Sequence, residues 1–156
     1  MAIQVGQQAP DIELPLAGSK EKFKLSDYKG KQPVVLLFFP LAWTGVCTQQ
    51  MCEMRDSLAK FNSLNAKAVG ISVDSPFALD KFKADQNLNF DLASDFNKTA
   101  SETYGALYED LMGFKGVSKR SAFVIGKDGK ILYAQVNESA KDIPPLADIE
   151  AAVAKG

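Results

Sequence analysis

Val34-Val35-Leu36-Leu37-Phe38-Phe39-Pro40-Leu41-Ala42-Trp43-Thr44-Gly45-Val46-Cys47 is the stretch on which the reading of this chain turns. Six apolar residues in succession predict a strand buried on both faces. Pro40 ends it. From about Val46 to Leu64 the period becomes helical: Cys47, Met51, Met54, Leu58 and Phe61 fall on one stripe at i, i+4 and i+7 spacing. Gln49, Asp56 and Lys60 lie off that stripe. Cys47 is thereby set on the inward face at a helix start, where unpaired backbone N–H groups and the helix dipole favour an anion. A cysteine so placed is expected to be a reactive thiolate. Cys52, the other cysteine, follows five residues later, about 140° further round and on a flank of the helix.

Upstream, Ile12, Leu14 and Leu16 alternate with Glu13 and Pro15, and Ala17-Gly18-Ser19-Lys20 reads as a turn. Phe23 and Leu25 alternate with lysines and form the expected return strand of an N-terminal β-hairpin. Gly30 to Pro33 then breaks the chain before the apolar strand. Downstream, Ala66–Val73 predicts a strand. Ser75-Pro76 opens a helix to about Asp85, with Phe77, Leu79 and Phe82 as its apolar surface. A short strand at Phe90–Ala93, a short helix from Lys98 to Tyr104 and a loop over 106–119 follow. The strands Ser121–Ile125 and Ile131–Val136 are joined across Asp128-Gly129, a hairpin signal. Pro144-Pro145 opens a terminal helix. Two strands, then β-α-β-α-β-α-β-β-α, predict an α/β fold with a mixed central sheet and helices on both faces.

The 156 residues suit one domain. Hydrophobic residues make up 46%, charged residues 24%, and the net charge is −1, as in a globular protein. The lysines between Lys20 and Lys31 alternate with Glu21, Asp27 and apolar residues, so they read as a solvated hairpin rather than a nucleic-acid or membrane surface. Met1 to Gly6 lack a basic start and a long apolar run, so no signal peptide is expected, and the run at 34–39 is too short to span a bilayer. A reducing cytoplasm is the default, where two nearby cysteines point to redox chemistry or metal binding rather than a structural staple. Histidine is absent. That excludes Cys-His and Ser-His pairs and histidine-ligated metals; two cysteines alone cannot make a four-thiolate zinc site. No metal or cofactor is expected, since glycine-rich and Walker-type phosphate loops are absent as well.

Pro40, Thr44 and Cys47 in the spacing PxxxTxxC, with Arg120 just before a strand, resemble the peroxiredoxins. Val5-Gly6 with Ala9-Pro10-Asp11, Leu25 to Gly30, and Phe123-Val124-Ile125 with Asp128-Gly129-Lys130 extend the resemblance over essentially the whole chain. A second cysteine five residues after the first looks like the Q-type (bacterioferritin-comigratory) subgroup. The stretch Phe39 to Cys47 looks closer to the alkyl hydroperoxide reductase E type. Gln50 stands where the Q-type subgroup often has glutamate.

The resemblance implies a thioredoxin-like fold and reduction of hydrogen peroxide or organic hydroperoxides, with Cys47 as the peroxidatic thiolate. Arg120, one of two arginines against 16 lysines, would hold thiolate and peroxide through its rigid fork of donors. Thr44 would position the peroxide. Pro40 would shape the pocket and shield the sulfur. The backbone N–H groups of Val46 and Cys47 would add donors. Cys52 would resolve the Cys47 sulfenic acid as a Cys47–Cys52 disulfide, reduced in turn by a thioredoxin or glutaredoxin-type partner. Residues five apart in a helix lie about 8 Å apart along the axis and on different faces, whereas a disulfide wants Cα atoms nearer ~5.5 Å, so the first turns are expected to unwind for the bond to form. Two alternatives share Cys47: a one-cysteine enzyme resolved by an external thiol, and a peroxide sensor. A disulfide reductase would use a Cys-x-x-Cys, which is absent. Arg55 is either a surface ion-pair partner or a second cation for the site. The resemblance also implies a homodimer packed near the active-site loops, where Trp43 and Pro76-Phe77 lie.

Overall fold

A computed structural model describes residues 3–155. Met1 and Ala2, part of the stretch read above for a leader, lie outside it. Strands β1 (Glu13–Pro15) and β2 (Lys22–Lys24) pair antiparallel as the N-terminal hairpin. A second, five-stranded sheet is built from β3 (Val34–Phe38), β4 (Lys67–Ser72), β5 (Asp91–Ser94), β6 (Ser121–Ile125) and β7 (Ile131–Val136), in the order β5-β4-β3-β6-β7. β3 runs parallel to β4 and antiparallel to β6, so the sheet is mixed.

The apolar run becomes the central strand because every residue of β3 has an apolar layer to meet. Val35 and Leu37 face one core with α1 (Gly45–Ser63), α2 (Pro76–Asp85) and α4 (Leu146–Ala154). Val34, Leu36 and Phe38 face the other, formed by the hairpin and α3 (Thr99–Thr103). Alternate residues of one strand thus supply both cores. Helices cover both faces, three on one side and α3 with the hairpin on the other.

All five stripe residues of α1 are buried. The helix lies so close to β4 that a Cβ on Gly70 would stand 3.0 Å from Met51 Sδ and 2.7 Å from a Leu92 methyl. A glycine is what lets α1 settle on the sheet at that depth, and this fixes the height of Cys47 above it.

Three local expectations are corrected. Leu25 does not extend the return strand; it opens a 3-10 turn over Leu25–Tyr28 and is buried beneath it. Phe77 does not pack under α2: at the helix's first turn it faces solvent, 85% exposed, while Leu79 and Phe82 are buried. Lys98 is not helical; it enters α3 with φ 67°.

Candidate active site

The chain leaves β3 at its C-terminal end and reaches α1 through Phe39–Thr44. Asp74, just beyond β4, pins this connection. Its carboxylate accepts from the Ala42 amide at 2.8 Å and from the Ser72 hydroxyl at 2.6 Å. Trp43 takes a left-handed φ of 75° and sets its ring edge-on to Phe82, centroids 5.3 Å apart. Pro40 is buried. Thr44 is the N-cap residue of α1; its carbonyl accepts the first helical bond, from Thr48 N–H at 2.9 Å. The amides of Gly45, Val46 and Cys47 therefore precede the hydrogen-bonded ladder of the helix.

Cys47 is wholly buried, and Arg120 and Gln50 are buried with it. The guanidinium spends its donors on three acceptors. Arg120 Nη2 donates to Cys47 Sγ at 3.0 Å, Nη1 to Gln50 Oε1 at 2.7 Å, and Nε to the Ala140 carbonyl at 2.7 Å. Among the described residues no carboxylate forms an ion pair with Arg120. Its backbone is fixed at the start of β6, where its carbonyl accepts from Asn137 N–H at 2.9 Å. Tyr108 fastens the segment that carries Ala140. Its hydroxyl donates to the Glu138 carbonyl at 2.8 Å, and burial, followed by the Glu138 charge, holds that hydroxyl above the ordinary tyrosine range. Lys119 pairs with Glu138 at 2.9 Å.

Cys47 and Arg120 are brought together; Thr44 is not joined to them. Its side chain is exposed, and its hydroxyl donates to the Leu41 carbonyl at 3.0 Å. Cys52 is half-buried on the flank of α1, its Sγ 3.7 Å from Gln86 Oε1, and both thiols are free. Arg55 turns away from the site: it pairs with Asp56 at 2.9 Å and donates to the Gln86 carbonyl at 2.7 Å. Reading the sequence missed Gln50 as the acceptor for Arg120, the Ala140 carbonyl, Asp74 and Tyr108. Only Gln50 carried a usable signal, standing three residues after Cys47 where the Q-type subgroup often has glutamate.

A buried cysteine at a helix start is thus bound by an arginine that immediately precedes a neighbouring strand. Residues 5–134 match the AhpC/TSA family. The chain belongs to that family, and the relatives it resembles are peroxiredoxins. A putative peroxiredoxin of Mycobacterium tuberculosis is 40% identical over 137 residues, 86% of each chain. The chloroplastic 2-Cys peroxiredoxin BAS1 of Spinacia oleracea is 37% identical over 142 residues, 85% of this chain. The chain spans about half the length of that relative, 52%. Among solved structures, peroxidoxin BcpB from Mycobacterium tuberculosis superimposes with a TM-score of 0.83 at 32% identity, covering 98% of this chain and 97% of its own. The architecture is the thioredoxin-like fold of these peroxiredoxins. Among the described residues no helix is long and apolar enough to cross a membrane.

Proposed function

We propose that this chain, as a single domain, is a thiol-dependent peroxidase acting on hydrogen peroxide and organic hydroperoxides. The observation that carries the reading is the Arg120–Cys47 contact, a buried guanidinium whose partners among the described residues are sulfur, amide oxygen and carbonyl. A cation kept from carboxylates is matched by a thiolate.

The Cys47 thiolate attacks the nearer peroxide oxygen. The S–O bond forms, the O–O bond breaks, and the departing alkoxide or hydroxide takes up a proton, leaving Cys47 as a sulfenic acid. Arg120 and the first-turn amides of α1 stabilise the negative charge as it moves from sulfur to the leaving oxygen. Thr44 positions the peroxide once its hydroxyl leaves Leu41, and Pro40 walls the pocket without competing N–H. Cys52 then attacks the sulfenic acid, releasing water and forming a Cys47–Cys52 disulfide after the start of α1 unwinds. A thioredoxin or glutaredoxin-type dithiol reduces it. The continuous helix between the cysteines and the lateral contact of Cys52 with Gln86 favour one rival, resolution by an external thiol.

A homodimer in a reducing cytoplasm completes the reading. β3, β4 and β5 are parallel, so Trp43, Phe77 and Phe96, which follow their C-terminal ends, emerge at the same end of the sheet, the end that carries the start of α1. All three are exposed aromatic residues, suited to a partner copy. The test is NADPH consumption in a system of thioredoxin reductase, thioredoxin, peroxide and this protein. Sustained turnover that disappears in Cys47→Ser supports a peroxidase; a single oxidation without turnover by any dithiol supports a sensor.

A further inference from the structure

Gln50 has a donor that no group among the described residues accepts. The residue is only 2% exposed, and Nε2 has no hydrogen-bond partner among the described residues. The amide cannot be turned round to cure this. Arginine only donates, so the atom 2.7 Å from Arg120 Nη1 must be the oxygen, which leaves the NH2 group as the orphan. A buried amide donor without an acceptor is costly and rare in folded proteins.

The orphan sits in a telling place. Gln50 lies one helical turn beyond Cys47 on the same face of α1. The guanidinium that holds its oxygen through Nη1 holds the Cys47 sulfur through Nη2. Sulfur, guanidinium and amide therefore form one contiguous array, and two of its three members have their donors or acceptors engaged. What the third lacks is an acceptor for its N–H. A carboxylate at this position would offer only acceptors and would bring a negative charge against Arg120. The amide instead leaves the cation free for the thiolate and adds a donor.

Building on the peroxidase reading above, we propose that Gln50 is a substrate-contacting residue whose Nε2 donates to the oxygen atom transferred from peroxide to Cys47. The same N–H serves that oxygen while it is part of the peroxide and after the O–O bond has broken, when it remains on sulfur and the alcohol or water has left with the other oxygen and a proton. Gln50 thus does two things: its Oε1 holds Arg120 in place, and its Nε2 binds substrate.

Two variants separate these tasks. Gln50→Glu keeps an acceptor for Arg120 and removes the donor; Gln50→Met removes both at similar size. For wild type and each variant, the rate of Cys47 oxidation by hydrogen peroxide is compared with its alkylation by iodoacetamide, which reads the thiolate but delivers no oxygen. The ratio of the two rates cancels changes in thiolate reactivity or in access to the buried sulfur. It should fall about fivefold in both variants, the loss of one hydrogen bond of ordinary strength. A ratio within twofold of wild type in both variants overturns the contact and leaves Gln50 as a positioning residue for Arg120. A wild-type Cys47 that alkylates but does not oxidise overturns instead the peroxidase reading on which the proposal rests.

Discussion

Arg120 Nη2 and Cys47 Sγ, 73 residues apart in sequence, meet at 3.0 Å in the interior of the protein. The distance joins a strand start to a helix start, and the burial of both makes the pair an energetic unit. Removing one member deprives the other of a buried partner.

A double-mutant cycle reads that coupling. Cys47→Ala and Arg120→Met should each destabilise the reduced protein, and the double variant should lose less than the sum. A coupling of about 1–3 kcal/mol is expected from urea denaturation midpoints. Additive effects would mean that Arg120 does not rely on the sulfur. Arg120→Lys keeps the charge but cannot reach Cys47, Gln50 and Ala140 at once, so its peroxide oxidation rate should fall by on the order of a hundredfold.

Tyr108 acts one step further out. Its hydroxyl holds the Glu138 carbonyl two residues before Ala140, whose carbonyl orients Arg120 Nε. Tyr108→Phe should cost about 1 kcal/mol of stability and slow Cys47 oxidation several-fold, while Tyr28→Phe, in the 3-10 turn of the other core, leaves the rate unchanged. Equal rates in the two variants would separate the 137–140 segment from the site.

Release of α1 from α2 should limit disulfide formation. Cys52 Sγ meets Gln86 Oε1 at 3.7 Å, and Arg55 donates to the Gln86 carbonyl at 2.7 Å, so both must let go before Cys52 can swing toward Cys47. Arg55→Ala should accelerate loss of the sulfenic acid several-fold in rapid-quench mass spectrometry after peroxide. An unchanged rate would place the slow step elsewhere.

Alkaline pH should loosen the fold through Tyr104. Burial, and after it the Asp11 carboxylate, holds its hydroxyl far above the ordinary tyrosine range, and that hydroxyl donates to the Pro10 carbonyl at 2.6 Å. The unfolded chain releases this proton near pH ~10, the folded chain only well above it. The contribution is therefore complete below pH ~10 and declines as pH rises past it. Urea midpoints between pH 8 and 11 should fall more steeply for wild type than for Tyr104→Phe; parallel curves would contradict the assignment.

The β3 run and the five-residue stripe of α1 made most of the fold legible in the sequence, because both report burial directly. Hydrophobic period put Cys47 on the inner face, and the scarcity of arginine drew attention to Arg120. What stayed hidden depends on contacts that leave no periodic trace. Ala140 contributes a backbone carbonyl from a stretch with neither helical nor strand period. Asp74 is a single acid after a strand, and Tyr108 an aromatic in a loop, where core packing is the default reading. Gln50 was visible as a departure from a family habit, yet its hydrogen bond to Arg120 required the guanidinium's position in three dimensions. Phe77 shows the converse error: helical period assigns a face, but in the first turn of α2 Phe77 is exposed while Leu79 and Phe82 are buried.

Intact mass after one equivalent of hydrogen peroxide, with dimedone present, tests the role of Cys47 most directly in wild type, Cys47→Ser and Cys52→Ser. A dimedone adduct on Cys52→Ser, loss of two hydrogens in wild type and no change in Cys47→Ser are the expected results. An adduct or oxidation that persists in Cys47→Ser, or no reaction in any of the three, would contradict a peroxidatic Cys47.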